Sequence, residues 1–257
     1  TNLTMLLTVN KEVSVLDIKK QYINGQWVDA ISGNTREIIN PYNQEVIAVV
    51  AEGDEQDSEK AIAAAREAFD HGEWPHTSAT ERAKIVHKIA DLIERDQEEL
   101  AKLESLDTGK TLEESRWDME DIAGVFRYYA ELADKDGGQI INSPIANSIS
   151  KVVKEPVGVC GQITPWNYPL LQASWKLAPA LVTGNTLIIK PSEITPLTHI
   201  KIFELIEEAG VPKGVANLVL GPGNTVGAVL SNHQDVDLIS FTGGIETGKT
   251  IMQAASH

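Results

Sequence analysis

The sequence predicts an α/β fold in which a parallel sheet is covered by helices. Two observations carry this. From about residue 157 the chain alternates between strand-length apolar runs, near 157–163, 185–190, 215–220 and 236–241, and amphipathic runs near 169–182, 197–209, 223–231 and 246–255. Such alternation marks strand–helix–strand units with parallel strands. Hydrophobic residues make up 42% of the 257 residues, enough for a packed core in one or two domains. No internal repeat or low-complexity tract interrupts it.

The elements before residue 157 are read from local signals. Residues 1–20 are mixed and read as a frayed arm. Tyr22 to Val28 is expected to be a hairpin, with Asn24-Gly25 as its turn. Glu37 to Val50 reads as a second extended pair broken at Pro41-Tyr42-Asn43. A helix is expected from Asp57 or Ser58, with Ala61, Ile62, Ala65, Ala68 and Phe69 on one face. Ser78-Ala-Thr-Glu81 has capping-box spacing ahead of Ile85, Ile89, Leu92 and Ile93. Gly109 stops that helical stretch, and another runs from about Thr111 to Ala133. Beyond Gly137-Gly138, residues 139–153 read as two strands around Asn142-Ser143-Pro144.

Composition excludes several function classes. The formal charge of −15 argues against general affinity for nucleic acid or anionic membrane. No apolar run is long enough to span a membrane. Thr1 to Leu7 carry no basic region, so no secretory signal is expected. Cys160 is the only cysteine, which excludes an intrachain disulfide and points to the cytosol.

The chain is organised around Ile163-Thr164-Pro165-Trp166-Asn167-Tyr168-Pro169, a turn between an apolar strand and an amphipathic helix. Pro169 is tolerated in a first helical turn, where its missing donor would have no partner. Asn167 then falls near the helix N-cap, with its amide free to point into a cleft. In open α/β sheets ligands bind outside the carboxyl ends of the strands, where this turn would lie.

The stretch from Pro156 to Leu170, Pro-Val-Gly-Val-Cys-Gly-Gln-Ile-Thr-Pro-Trp-Asn-Tyr-Pro-Leu, closely resembles the aldehyde dehydrogenase superfamily. So do Lys190-Pro191-Ser192-Glu193, Gly221 to Gly227 and Phe241-Thr242-Gly243-Gly244, in the same order and spacing. The likeness covers nearly everything after about residue 20. It implies a Rossmann-like parallel sheet flanked by helices, made of residues 1–137 and 157–257 and binding NAD. It also implies an extended oligomerisation segment, 138–156, and a homodimer or homotetramer.

The resemblance assigns roles residue by residue. Asn167 would donate its amide to the oxyanion formed when a cysteine attacks an aldehyde; losing one such donor typically costs about 3 kcal/mol of barrier. The plain alternative is a helix N-cap. Ile163, Thr164, Pro165 and Trp166 would face the cofactor. Lys190 and Glu193 would hold the adenosine ribose, and Glu193 would repel a 2′-phosphate, favouring NAD over NADP. Pro191 and Ser192 complete that turn, which could equally be ordinary surface chemistry. Gly223 and Gly227 would lie beside the cofactor. Phe241, Thr242, Gly243, Gly244 and Thr247 would present a turn and helix N-terminus to its pyrophosphate.

Tyr168 and Trp175 are seven apart and are expected to share a helix face. They match positions of the aromatic box of betaine aldehyde dehydrogenases, where ring faces attract a quaternary ammonium; core packing is the commoner fate of such a pair. Lys176 matches a proton-relay lysine, or is a helix-surface lysine. Asp107, with the carbonyls of Ile39 and Ile194, matches a monovalent-cation site for K+ or Na+, or is an acidic loop.

Two tempting motifs are set against these. Gly243 to Thr250 fits the phosphate-binding loop pattern G-x-x-x-x-G-K-[ST] in full. Seven residues follow Thr250, which leaves no room for the acidic strand residue that helps hold magnesium in such sites. Cys160 lies inside an apolar strand with no base beside it and reads as inert packing. The family's nucleophilic cysteine and general-base glutamate come after the motifs present here. The expectation is therefore the cofactor-binding half of a longer subunit, which oxidises an aldehyde to an acid with NAD, betaine aldehyde above others, and which is inactive as residues 1–257 alone. Another aldehyde or aminoaldehyde dehydrogenase, a fragment that only binds nucleotide, and an NTPase are the alternatives.

Overall fold

The structure is a computed structural model that describes residues 17–135 and 137–256. Most of the arm read at residues 1–20 therefore lies outside the described residues. The first strands are β1 (Ile18–Lys19), β2 (Gln21–Ile23), β3 (Gln26–Val28), β4 (Thr35–Ile39) and β5 (Val46–Ala51). Four helices follow: α1 (Glu55–Asp70), α2 (Ala79–Arg95), α3 (Gln97–Thr108) and α4 (Leu112–Leu132). The hairpin β6 (Gln139–Asn142) and β7 (Ile149–Val152) leads into the alternating half. That half runs β8 (Val159–Ile163), α5 (Pro169–Val182), β9 (Thr186–Lys190), α6 (Leu197–Ala209), β10 (Ala216–Leu218), α7 (Ala228–Asn232), β11 (Leu238–Phe241) and α8 (Ile245–Ala254).

The central sheet has the order β11-β8-β9-β10-β2-β3. Strands β8 to β11 are mutually parallel, whereas β2 and β3 add antiparallel at one edge. β8 and β9 are buried at every position, as expected for strands covered on both faces. Side-chain alternation divides the core. Cys160, Leu187 and Ile189 face the layer of α2, α4, α5 and α6, while Val159, Ile163 and Ile188 face α1 and α7. Each fully buried Leu or Ile contributes about 1.5–3 kcal/mol. A separate sheet, β1-β5-β4, lies to the side.

Local signals place most boundaries. Asn24 and Gly25 both take positive φ, 53° and 73°, the conformation of a two-residue hairpin turn. Ser78 caps α2 by accepting from the Glu81 N–H at 3.2 Å, and Gly109 ends α3 with φ 79°. Two boundaries differ from the sequence reading. α1 begins at Glu55 rather than at Asp57, because Asp54 caps it and the Asp57 carboxylate reaches back to the Asp54 N–H at 3.1 Å. The expected helix near 223–231 is a π-helical turn, Gly223–Gly227, followed by α7.

Among the described residues the β6–β7 hairpin pairs only with itself, and it is exposed along its whole length, including Ile140, Ile141 and Ile149. No helix among the described residues is long and apolar enough to cross a membrane.

Candidate functional site

The strand order decides where the site lies. The chain runs β8, β9, β10 in one direction, then returns to the other side of β8 to form β11. The order thus reverses at β8, and the crevice beyond the carboxyl ends there is where open α/β sheets bind ligands. Register puts Ile163 beside Lys190 on one flank and Phe241 on the other. The turns after Ile163, Lys190 and Phe241 therefore converge on this crevice.

A cleft of about 730 Å³ opens there, lined by Ile163, Glu193, Gly223, Gly227, Thr247 and Glu246 among others. The first five are sequence-expected cofactor residues; Glu246 is not. Side-chain absence makes the room. A Cβ at Gly223 would meet nothing within 4 Å, and one at Gly227 would sit 3.7 Å from Lys190 Cδ and 3.8 Å from Ile163 Cδ1. Lys190 lies beneath this floor, 2% exposed. Its ammonium donates to the Gly221 carbonyl at 3.0 Å and to Glu193 Oε2 at 3.4 Å. Burial lowers the Lys190 pKa, and the Glu193 carboxylate partly offsets that. Pro191 and Ser192 form the turn that delivers Glu193 to the cleft edge.

The remaining expected cofactor residues frame the cleft without lining it. Thr164 is buried, with its hydroxyl 3.0 Å from His199 Nε2. Burial, aided by Lys190, pushes the His199 pKa down to about 3, so the ring is neutral. Pro165 and Trp166 form the outer turn, and Trp166 is exposed. Phe241 ends β11 with its ring directly beneath Gly243. Thr242 accepts a hydrogen bond from Lys176 Nζ at 2.8 Å, and Gly244 precedes the first residue of α8.

Asn167 is not the helix cap: Tyr168 occupies that position, and its side chain makes no capping bond. The Asn167 side chain is exposed and makes no hydrogen bond to the described residues, so its amide remains available. Lys176 is not a surface lysine. It is 8% exposed, and burial lowers its pKa. Tyr168 is the N-cap of α5, its carbonyl accepting the Gln172 N–H at 3.0 Å, and Trp175 lies within that helix. Trp175 presents a half-exposed ring. The Tyr168 ring already carries an ammonium, Lys110 Nζ, at 4.0 Å, and its hydroxyl donates to Glu114 Oε1 at 2.9 Å.

Asp107 is 2% exposed and accepts the Leu197 N–H at 2.8 Å, while its Oδ1 has no hydrogen-bond partner. Burial raises its pKa. Ile39, at the end of β4, and Ile194, in the turn before α6, have exposed side chains, so only their carbonyls could join it. No cluster of three His, Cys, Asp or Glu side chains suited to a metal occurs among the described residues. Cys160 is buried, and its thiol pKa is pushed up to about 11, as inert packing requires.

The aldehyde dehydrogenase family model matches residues 27–257. The chain belongs to the aldehyde dehydrogenase family. It is 72% identical to the betaine aldehyde dehydrogenase of Bacillus subtilis over 91% of its length, and 48% identical to aldehyde dehydrogenase family 2 member C4 of Arabidopsis thaliana over 92%. Among solved structures it superposes with a TM-score of 0.92 on a betaine aldehyde dehydrogenase of Staphylococcus aureus in complex with NAD+, at 64% identity over 93% of this chain and 47% of that one. The chain spans about half the length of the curated relatives it matches, 48% for both named above.

Membership in the aldehyde dehydrogenase family displaces the phosphate-binding-loop reading of Gly243 to Thr250. In the structure Lys249 is exposed and pairs with Glu246 at 2.8 Å along α8. Sequence reasoning missed Lys110, Glu104 and His199. Lys110 and Glu104 sit at a helix junction read for its Gly109 stop and for Asp107, and a buried lysine there has no periodic signal. His199 lies in an apolar helix, where it reads as core.

Proposed function

We propose that this chain is the cofactor-binding half of an NAD-dependent aldehyde dehydrogenase whose substrate is betaine aldehyde and whose product is glycine betaine. The cleft at the strand reversal, with Glu193 at its edge and the free Asn167 amide on the adjoining turn, is the observation that carries the reading. The 72% identity to a betaine aldehyde dehydrogenase supports the substrate.

The residues present fit NAD. Gly223 and Gly227 leave space for close approach of a ligand, and the α8 N-terminus offers unpaired N–H groups to a pyrophosphate. Glu193 would accept from the adenosine ribose hydroxyls, and Lys190 would donate to them or hold Glu193 in place. A 2′-phosphate would meet the Glu193 carboxylate. When bound, the nicotinamide supplies the acceptor for the electron pair leaving the aldehyde carbon.

This chain's own contribution to the chemistry centres on Asn167. Its side-chain N–H would donate to the aldehyde oxygen as that oxygen gains negative charge, a contact that strengthens in the transition state. Lys176, with its lowered pKa and its bond to Thr242, would move a proton near the same turn. Tyr168 and Trp175 would contribute ring surface to the trimethylammonium group. Asp107 with the Ile39 and Ile194 carbonyls would hold K+ or Na+. We read 138–156 as the oligomerisation segment of a homodimer or homotetramer in the cytosol.

The test is NADH formation by the full-length subunit from NAD and betaine aldehyde. Turnover with betaine aldehyde, faster than with a neutral aldehyde of similar size, is expected. A subunit that oxidises no aldehyde with NAD would overturn the reading.

A further inference from the structure

A second constellation lies behind the Asn167 turn, built from the α3–α4 junction. Lys110 follows the Gly109 cap, and its side chain is only 9% exposed. Its ammonium lies 2.6 Å from Asp118 Oδ2, 3.8 Å from Glu104 Oε1 and 4.0 Å from the Tyr168 ring centroid. Glu104 is fully buried, and its Oε2 accepts from the Thr198 hydroxyl at 2.6 Å. Tyr168 is held at its far end by Glu114.

Tyr168 is the residue that follows Asn167. It is gripped at both ends of its side chain, by Lys110 on the ring and by Glu114 at the hydroxyl. Asn167 itself has no hydrogen bond to hold it among the described residues, and Trp166 before it is exposed. The cluster therefore fixes the direction in which the turn leaves α5. A buried ammonium is costly unless well paired, and two carboxylates would face each other without it. Its placement under a turn with a free amide calls for a reason beyond packing.

We propose that Lys110 is a positioning residue: seated on the Tyr168 ring and paired with Asp118, it holds the turn that aims the Asn167 amide. This rests on the reading of Asn167 as oxyanion donor. Lys110 touches no reacting atom; it acts through Tyr168.

The experiment is steady-state kinetics on the full-length subunit with NAD and betaine aldehyde. Lys110→Met alone strands a buried carboxylate, so the paired variant Lys110→Met/Asp118→Asn, which removes both charges, accompanies it. The paired variant is expected to lose kcat tenfold or more, with KM for NAD within twofold of wild type. Lys110→Arg, able to keep both the ion pair and the ring contact, should return kcat to within threefold. Adding Asn167→Ala to the paired variant should slow it to no more than twofold below Asn167→Ala alone, because one function is being removed twice. Three results would overturn the inference: kcat within twofold of wild type, KM for NAD rising in step with the loss, or losses that multiply with that of Asn167→Ala. If Asn167→Ala slows turnover but the Lys110 variants do not, only this inference fails. If the wild type oxidises no aldehyde, or Asn167→Ala is silent, the reading of the site fails and takes this inference with it.

Discussion

Replacing Gly227 by alanine should move stability and cofactor affinity in opposite directions. Gly227 has φ −66° and ψ −35°, which any residue adopts without strain. The new methyl would lie 3.7 Å from Lys190 Cδ and 3.8 Å from Ile163 Cδ1, both ordinary contact distances. Removing glycine's freedom from the unfolded chain then stabilises the fold by about 0.4–1 kcal/mol. The same methyl projects into the cleft where the cofactor is proposed to lie. Overpacking a fitted site costs about 1–3 kcal/mol, which corresponds to about 5- to 150-fold weaker binding. The assay is NAD titration by calorimetry on the full-length subunit, paired with thermal unfolding of the cofactor-free protein. Gly124→Ala, on the exposed side of α4 with nothing within 4 Å, is the control: it should share the stabilising effect and leave affinity unchanged. Unaltered NAD binding by Gly227→Ala would refute the placement of the cofactor in this cleft.

Other expectations follow from the same geometry. Asn167→Ala should lower kcat about a hundredfold or more while leaving NAD affinity intact; a change under threefold would remove Asn167 from the chemistry. Tyr168→Leu should slow a neutral aldehyde through the lost Lys110 seat and reduce catalytic efficiency with betaine aldehyde several-fold further, whereas equal losses would remove Tyr168 from recognition of the trimethylammonium group. Burial raises the Glu104 pKa to about 7. Its protonated form is thus favoured by folding, so this contribution to stability is present below the ordinary glutamate range and is lost as pH rises through about 7. Glu104→Gln should flatten the pH dependence of unfolding across that window, and an unchanged profile would contradict the assignment.

Much of this architecture was legible because the parallel core writes itself as alternating runs. β8 and β9 are buried on both faces and so read as continuous apolar segments. The Asn24-Gly25 turn and the Ser78 and Gly109 caps were readable because each uses backbone chemistry tied to residue type. The failures share a different cause. Asp57 looked like the start of α1, but its carboxylate serves a buried network with Gln21, whose Nε2 donates to it at 2.7 Å. Asn167 was expected near the cap from Pro169 in the first helical turn, and the cap itself is the next residue, Tyr168. Tyr168 and Trp175 were counted as two positions of one helix, whereas Tyr168 is the cap of that helix and its side chain meets Lys110 and Glu114. Lys110, Glu104 and Asp118 meet only through the packing of α3, α4 and α5, and no spacing in the chain announces a buried ammonium against an aromatic ring.

Competitive titration of NAD, NADP and ATP–magnesium into the full-length subunit tests the cofactor assignment most directly. NAD is expected to bind most tightly, with NADP weaker because its 2′-phosphate meets Glu193, and with no magnesium-dependent ATP site. NADP binding as tightly as NAD, or tight ATP–magnesium binding lost in Lys249→Ala, would contradict the account.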